Sequence, residues 1–142
     1  MENTDLKLQV GVKVILKHQD SILLLKRSSK YRELQDSWDI PGGRIETQET
    51  LMEALERELG EELDLKAVNL SQIKLLTAQD ILRPEKGFHV IRLSFELDLA
   101  EKPEINIDAE SKEHKWFSRE DLVSCETLDP FLKETLIKSN YL

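Results

Sequence analysis

The chain has a single cysteine, Cys125, among its 142 residues. An intramolecular disulfide and any cysteine-based zinc cluster are thereby excluded. No apolar run approaches the roughly 18 residues that a membrane-spanning helix needs. The N-terminal MENTDLKLQV lacks a basic stretch followed by an apolar one, so no signal peptide is expected. Bases are the minority charge: 20 lysines and arginines face 28 aspartates and glutamates, for a formal net charge of −8. That balance argues against nonspecific nucleic-acid binding and against docking to anionic membranes. Internal repeats, linkers and low-complexity segments are missing too. One domain spanning residues 1–142, in a reducing, cytoplasmic setting, is the resulting expectation.

What the chain does have is charge. Charged residues make up 34% of it, against about 25% usually, while Leu, Ile, Val and Phe remain plentiful enough to build a core. The net charge is concentrated. Between Glu46 and Asp64 lie eight acids and one base, Arg57; the remainder is nearly neutral.

Hydrophobic periodicity outlines the elements. Residues 6–17 alternate, with Leu6, Leu8, Val10, Val12, Val14 and Leu16 on one face and lysines on the other, which predicts a strand with one buried face. Ile22–Leu25 is a continuous apolar run, suited to a strand buried on both faces. Residues 26–30 read as a basic loop, and Trp38–Ile40 as a short extended piece broken by Pro41-Gly42-Gly43. Thr47 to Leu63 reads as a helix, Thr47 as its N-cap, with Leu51, Met52, Leu55, Leu59 and Leu63 as its apolar stripe. Further strands are expected within 70–82, at 91–99 and at 115–117. Ser118 is placed to cap a helical turn, and Asp129-Pro130 to open a C-terminal helix with Leu132, Leu136 and Ile137 inward. A mixed sheet with two or three helices follows.

The acidic helix is in local conflict. On a 100° projection Glu58, Glu61 and Glu62 share one arc beside the apolar stripe, with Glu62 the least exposed, while Glu49, Glu53 and Glu56 take a solvated face. Glu58 and Glu62 are like charges one turn apart, and all three acids lie toward the C-terminal end, where the helix dipole opposes anions. Gly60 inside the helix weakens it further. A hard divalent cation, Mg²⁺ or Mn²⁺, would resolve the conflict; a merely solubilising polar face is the alternative. The Gly42-Gly43 turn just ahead permits close backbone approach by phosphate oxygens, with Arg44 and the run Lys26, Arg27 and Lys30 as charge partners. Glycine turn, helix and carboxylate triad together describe a site for a metal–diphosphate.

These residues resemble the signature of the Nudix hydrolase (MutT-like) family, G-x5-E-x7-R-E-U-x-E-E-x-G-U, where U is bulky and aliphatic. Gly43, Glu49, Arg57-Glu58-Leu59, Glu61-Glu62 and Leu65 fall on its defined positions. Asp64 stands where the family has glycine, and Gln48 where many members have one. Trp38–Gly43 and Trp116–Leu122 resemble the flanking segments, so the resemblance runs from about residue 6 to 136.

The resemblance implies an α/β/α sandwich around a mixed β-sheet and Mg²⁺-dependent hydrolysis, with Mn²⁺ as a substitute, of a diphosphate linkage in a nucleoside diphosphate derivative. Glu58, Glu61 and Glu62 would hold the metal together with Gly43. Arg57 would orient these carboxylates, with Glu53–Arg57 and Arg57–Glu61 spaced to pair, and Glu49 would support them. Gly42, Gly43, Arg44 and Arg27 would meet the substrate. Glu110 and Glu113 are the later-loop acids suited to a general base; His114 and His89 are alternatives. Phe88, Trp116 and Phe131 are candidates to stack on a base, and Asp129 to read its edge, although Asp129 already has a role as a cap. The partner is a small-molecule nucleotide, with no stable nucleic-acid or membrane partner; family members are often homodimers. Oxidised or unmodified (deoxy)nucleoside triphosphates, ADP-ribose or other dinucleotide-type substrates, and a non-catalytic nucleotide-binding module are the open alternatives.

Overall fold

The computed structural model describes residues 5–30 and 34–142. In chain order come strands β1 (Lys7–His18), β2 (Ser21–Arg27), β3 (Trp38–Asp39) and β4 (Gly42–Arg44), then helix α1 (Leu51–Leu63). Strand β5 (Lys74–Arg83) leads through a 3₁₀ turn at Pro84–Lys86 into β6 (Phe88–Asp98). Strand β7 (Ser111–Phe117) and helices α2 (Arg119–Ser124) and α3 (Pro130–Lys138) complete it. The seven strands form one mixed sheet in the order β3-β2-β1-β6-β5, with β4 also on β1 and β7 on β2. Strand β1 runs parallel to the whole of β6, from Lys7 opposite Phe88 to Lys17 opposite Asp98. The other pairings are antiparallel.

Alternation along β1 builds two cores. Val12, Val14 and Leu16 join Phe95 and Leu97 beneath α1, which contributes Ala54, Leu55, Leu59 and Leu63. Ile15 points the other way and joins Ile22, Leu24, Trp38 and Ile40 beneath Leu122 of α2 and Leu132 and Leu136 of α3. The sheet is therefore covered on both faces, as in the sandwich that the resemblance implies, and β1 does not have the single buried face that its alternation suggests.

Several boundaries differ from the sequence reading, each for a local reason. Lys26 and Arg27 belong to β2, because β3 and β7 pair with that strand through them. The last strand starts at Ser111, since pairing with β2 extends that far. Helix α1 starts at Leu51 and its N-cap is Thr50, not Thr47. Thr50 and Glu53 form a reciprocal capping box, and the Glu49 N–H donates to the Glu46 carbonyl, which leaves Thr47 in a turn outside the helix. Leu51, in the first turn, is 36% exposed, and Ala54 takes its place in the core. Ile137, in the last turn of α3 and one position beyond the buried Leu136, is exposed as well. The caps at Ser118, boxed with Asp121, and at Asp129 form where the sequence places them.

The two positions that depart from the family's glycines share a conformation. Gln48 has φ 70° and Asp64 φ 55°, both in the left-handed region that glycine occupies without steric cost. Asp64 is the α1 C-cap, where an anion also faces the negative end of the helix dipole.

A buried ion network ties the layers together. Asp39 is 3% exposed. Its carboxylate accepts from Arg92 Nη2 at 2.7 Å and from Arg27 Nη2 at 2.6 Å, and lies 3.5 Å from Lys13 Nζ. Arg27 Nη1 also donates to Asp129 Oδ2 at 2.7 Å, while Asp129 Oδ1 caps α3 through the N–H groups of Phe131 and Leu132. Burial alone would raise the Asp39 pKa; Arg92, Lys13 and Arg27 outweigh it and hold the carboxyl well below the ordinary carboxylate range.

Two stability tests follow from these features. Asp64→Gly should stabilise the protein by about 0.5–1 kcal/mol, raising Tm by about 2–4 °C in calorimetry; an unchanged or lower Tm would mean that Asp64 carries no conformational cost. Asp39→Asn should cost about 3–5 kcal/mol in urea unfolding at neutral pH, because three cations then lose their buried anion. A depressed folded pKa means that this contribution is complete above about pH 4 and is lost as the pH falls below it. The urea midpoint of the wild type should thus drop more steeply in acid than that of Asp39→Asn, and equal acid slopes would remove Asp39 as the source.

Candidate active site

The loop between β3 and α1 can approach the helix because it has no side chains in the way. Gly42 has φ 135°, and a Cβ there would fall 2.0 Å from the Val12 carbonyl oxygen, so only glycine fits. A Cβ on Gly43 would lie 2.7 Å from the Glu58 carboxylate. With both side chains absent, two acids of α1 close on this loop. The Gly42 N–H donates to Glu62 Oε1 at 2.7 Å.

Glu62 is 8% exposed, the least of the three helix acids, as the projection predicts. Desolvation pushes its carboxyl up to about 8 against the lowering pull of Lys13 and the Gly42 N–H, with Glu58 and Asp108 adding to the rise. Desolvation also raises the Glu58 pKa, with Arg57 opposing it. Glu61 points outward, its side chain 58% exposed.

Arg57 organises this group through one of the two pairs its spacing suggests, that with Glu61, and through Glu49 and Glu58. Its Nε and Nη2 donate to the two oxygens of Glu49 at 2.7 and 2.9 Å, in a bidentate pair. Nη1 donates to Glu58 Oε1 at 2.8 Å and, more weakly, to Glu61 Oε2 at 3.4 Å. Nη2 also reaches the Arg44 carbonyl at 3.1 Å, fastening the loop. Glu53 instead turns back to cap Thr50. Glu49, read from sequence as a solvated helix acid, lies before the helix and is held by Arg57, which with the Glu46 N–H lowers its pKa to about 2. Glu49 and Glu58 in turn raise the Arg57 pKa above its ordinary value.

Among the described residues, no three carboxylate, imidazole or thiolate groups are gathered closely enough to hold a metal ion as they stand. Glu58 is drawn to Arg57, Glu62 to Gly42, and Glu61 is exposed and outside the cleft lining. The donor chemistry nevertheless suits a hard divalent cation. All three groups are carboxylates on one helix, and desolvation raises the pKa of the two least exposed, so that a cation beside them would favour their charged form. Gly43 leaves the room beside Glu58 that a side chain would fill.

Glu58, Glu62, Gly42, Gly43 and Arg44 line a cleft of about 880 Å³. Arg27, Lys30, Arg57 and Glu110 line it too. Arg27 is nonetheless committed to Asp39, Asp129 and Ser37, so it builds the cleft wall. Arg44 is exposed, with its guanidinium 5.0 Å from the centre of the Phe88 ring. Phe88 and Phe131 are lining residues, whereas Trp116 packs beside His18 and beneath Lys102, away from the cleft. Glu113 lies outside the lining and pairs with Lys26 at 3.9 Å. His89 pairs with Asp80, and His114 is exposed on β7. The sequence reading missed Gly11, Lys13, Asp39 and Arg92, all of which line the cleft. Gly11 and the apolar Ile15 interrupt the polar face assigned to β1, and that interruption was the available signal.

The sequence model of the NUDIX domain matches residues 7–138. Human 8-oxo-dGDP phosphatase NUDT18 is 34% identical over 119 residues, covering 80% of this chain and 33% of that protein. The chain thus spans about a third of the length of this relative. Nucleoside triphosphatase NudI of Escherichia coli K12 is 29% identical over 116 residues, 77% of this chain and 81% of NudI. Among solved structures, the MutT protein of Methanosarcina mazei Go1 superposes with a TM-score of 0.81 over 97% of this chain and 96% of its own, at 22% identity, a likeness of fold. With the domain match spanning nearly the whole described chain, the protein belongs to the Nudix family.

Proposed function

We propose that the chain hydrolyses the diphosphate linkage of a (deoxy)nucleoside di- or triphosphate, oxidised or unmodified, with Mg²⁺ bound by Glu58, Glu61 and Glu62 beside Gly43. The observation that carries this reading is one continuous cleft. It brings a buried and a half-buried carboxylate, Glu62 and Glu58, together with a glycine loop, basic side chains and two aromatic rings. The first needs a cation, the second suits phosphate oxygens, and the third suits a base. The printed activities of NUDT18 and NudI, an 8-oxo-dGDP phosphatase and a nucleoside triphosphatase, support the choice of substrate class.

Each residue then has a physical task. Arg57 holds Glu58 and Glu61 from one side while Glu49 fixes the guanidinium from the other. The Gly42 N–H orients Glu62. Lys13, bonded to the carbonyls of Ile40 and Gly42 at 3.2 and 3.3 Å, braces the loop and adds a positive charge beneath the phosphates. Arg44 meets the phosphate chain or the base from the rim. Glu110 lines the cleft and would be the later-loop acid that takes a proton from water, since Glu113 lies outside the lining near Lys26. A bound divalent cation supplies Lewis acidity to the diphosphate and lowers the pKa of an attacking water.

The test is a Mg²⁺-dependent hydrolysis panel of unmodified and oxidised nucleoside di- and triphosphates, with ADP-ribose and diadenosine polyphosphates as further arms. Turnover of one nucleoside phosphate class, reduced about 100-fold or more in Glu62→Gln with retained Tm, is the expected result. Preferred turnover of ADP-ribose would move the substrate class, and full activity in Glu62→Gln would overturn the carboxylate assignment.

A further inference from the structure

Gly11 lies in the middle of β1, where a glycine weakens a strand because it adds no packing and loses the most backbone freedom. Neither reason internal to the fold explains it. Its backbone is outside the left-handed region, unlike that of Gly42 and Gly87. A Cβ on Gly11 would meet only Val90 Cγ1 at 3.6 Å and the Gly43 carbonyl oxygen at 3.9 Å, ordinary van der Waals distances. The protein itself would accept a side chain here, in contrast to Gly42 and Gly43.

What Gly11 does border is the cleft. In the sheet register it stands between Arg44 of β4 and Arg92 of β6. Arg44 lies over the Phe88 ring, and Arg92 donates from both Nη atoms to Asp39 while its buried Nε meets no acceptor among the described residues. Val90 and Phe88 lie on the same side of β6 as Arg92, because residues two and four apart on a strand share a face. Gly11 is thus a bare strip of backbone in a wall that is otherwise apolar, aromatic and guanidinium. A strand glycine that its own fold does not require marks the close approach of another group.

We propose that Gly11 is a specificity-determining residue: its bare backbone is the surface against which the nucleoside portion of the substrate rests, and it sets the depth of the cleft at that point. The proposal rests on the nucleotide reading above. Purine substrates, which need more depth than pyrimidine ones, should depend on it most.

The experiment compares wild type, Gly11→Ala and Gly11→Val in steady-state kinetics on the best purine and best pyrimidine nucleotides of the panel, with thermal melting alongside. Both variants should melt at or above the wild-type Tm, since strands favour β-branched residues over glycine. KM for the purine substrate should rise about tenfold in Gly11→Ala and further in Gly11→Val, with kcat within about threefold and a smaller KM change for the pyrimidine. An unchanged KM in a folded Gly11→Val would overturn the proposal. If that variant does not fold, Gly11→Ala decides by the same criterion. A wild type without turnover would count against the hydrolytic reading alone, and calorimetric binding of α,β-methylene-dGTP would then decide on Gly11. Binding about tenfold weaker in Gly11→Ala supports it, and equal binding, or none to the wild type, overturns it.

Discussion

Asp39 carries the arrangement on which the cleft depends. It sits on a two-residue strand too short to hold its own position, and its carboxylate gathers a cation from each of three neighbouring strands: Lys13 from β1, Arg27 from β2 and Arg92 from β6. Arg27 passes the connection on to Asp129 and so to the first turn of α3. Such a buried cluster is weak evidence for raw stability, because desolvating the charges offsets much of their attraction. Its effect here is geometric. It fixes where β3 ends and therefore where Pro41-Gly42-Gly43 must begin.

From that starting point the loop reaches α1. The helix brings acids that its own dipole and its own like charges disfavour, and the loop receives them with one N–H and a missing side chain. Arg57 compensates part of the charge on Glu58 and, through Glu49, is itself kept in place. Among the described residues Glu62 is bonded to the Gly42 N–H and lies near Lys13, with no guanidinium against it. The carboxylates are therefore anchored by Arg57 and the Gly42 N–H, while desolvation works against the charged forms of Glu58 and Glu62.

The fold was legible in the sequence wherever one physical signal dominated. Strict alternation in residues 91–99, the Ser118 and Asp129 caps and the acid spacing on α1 all led to the observed elements. The reading failed where a tertiary partner decided. Thr47 looks as good a cap as Thr50 until Glu53 closes the box. Lys26 and Arg27 look like loop residues until β3 and β7 pair with them. In the site, the carboxylates and glycines were visible because their spacing is local. Lys13, Asp39 and Arg92 were not, because lone charged residues on three separate strands acquire a joint meaning only once the register brings them together. Gly11 was visible as a letter but not as a surface.

The parallel pairing of β1 with β6 carries a kinetic consequence. Each of its contacts joins residues about 80 positions apart in the chain, from Lys7 with Phe88 onward. Such non-local pairing slows folding, because the loop between the partners must close before the contacts form. During synthesis the first strand has no parallel partner until most of the chain has been made, and Asp129 joins the Asp39 cluster later still. Local hairpins such as β1–β2 and β5–β6 can form early, whereas the cleft belongs to the last stage of assembly. A nascent chain short of α3 has every carboxylate of the acidic helix but not the complete cleft.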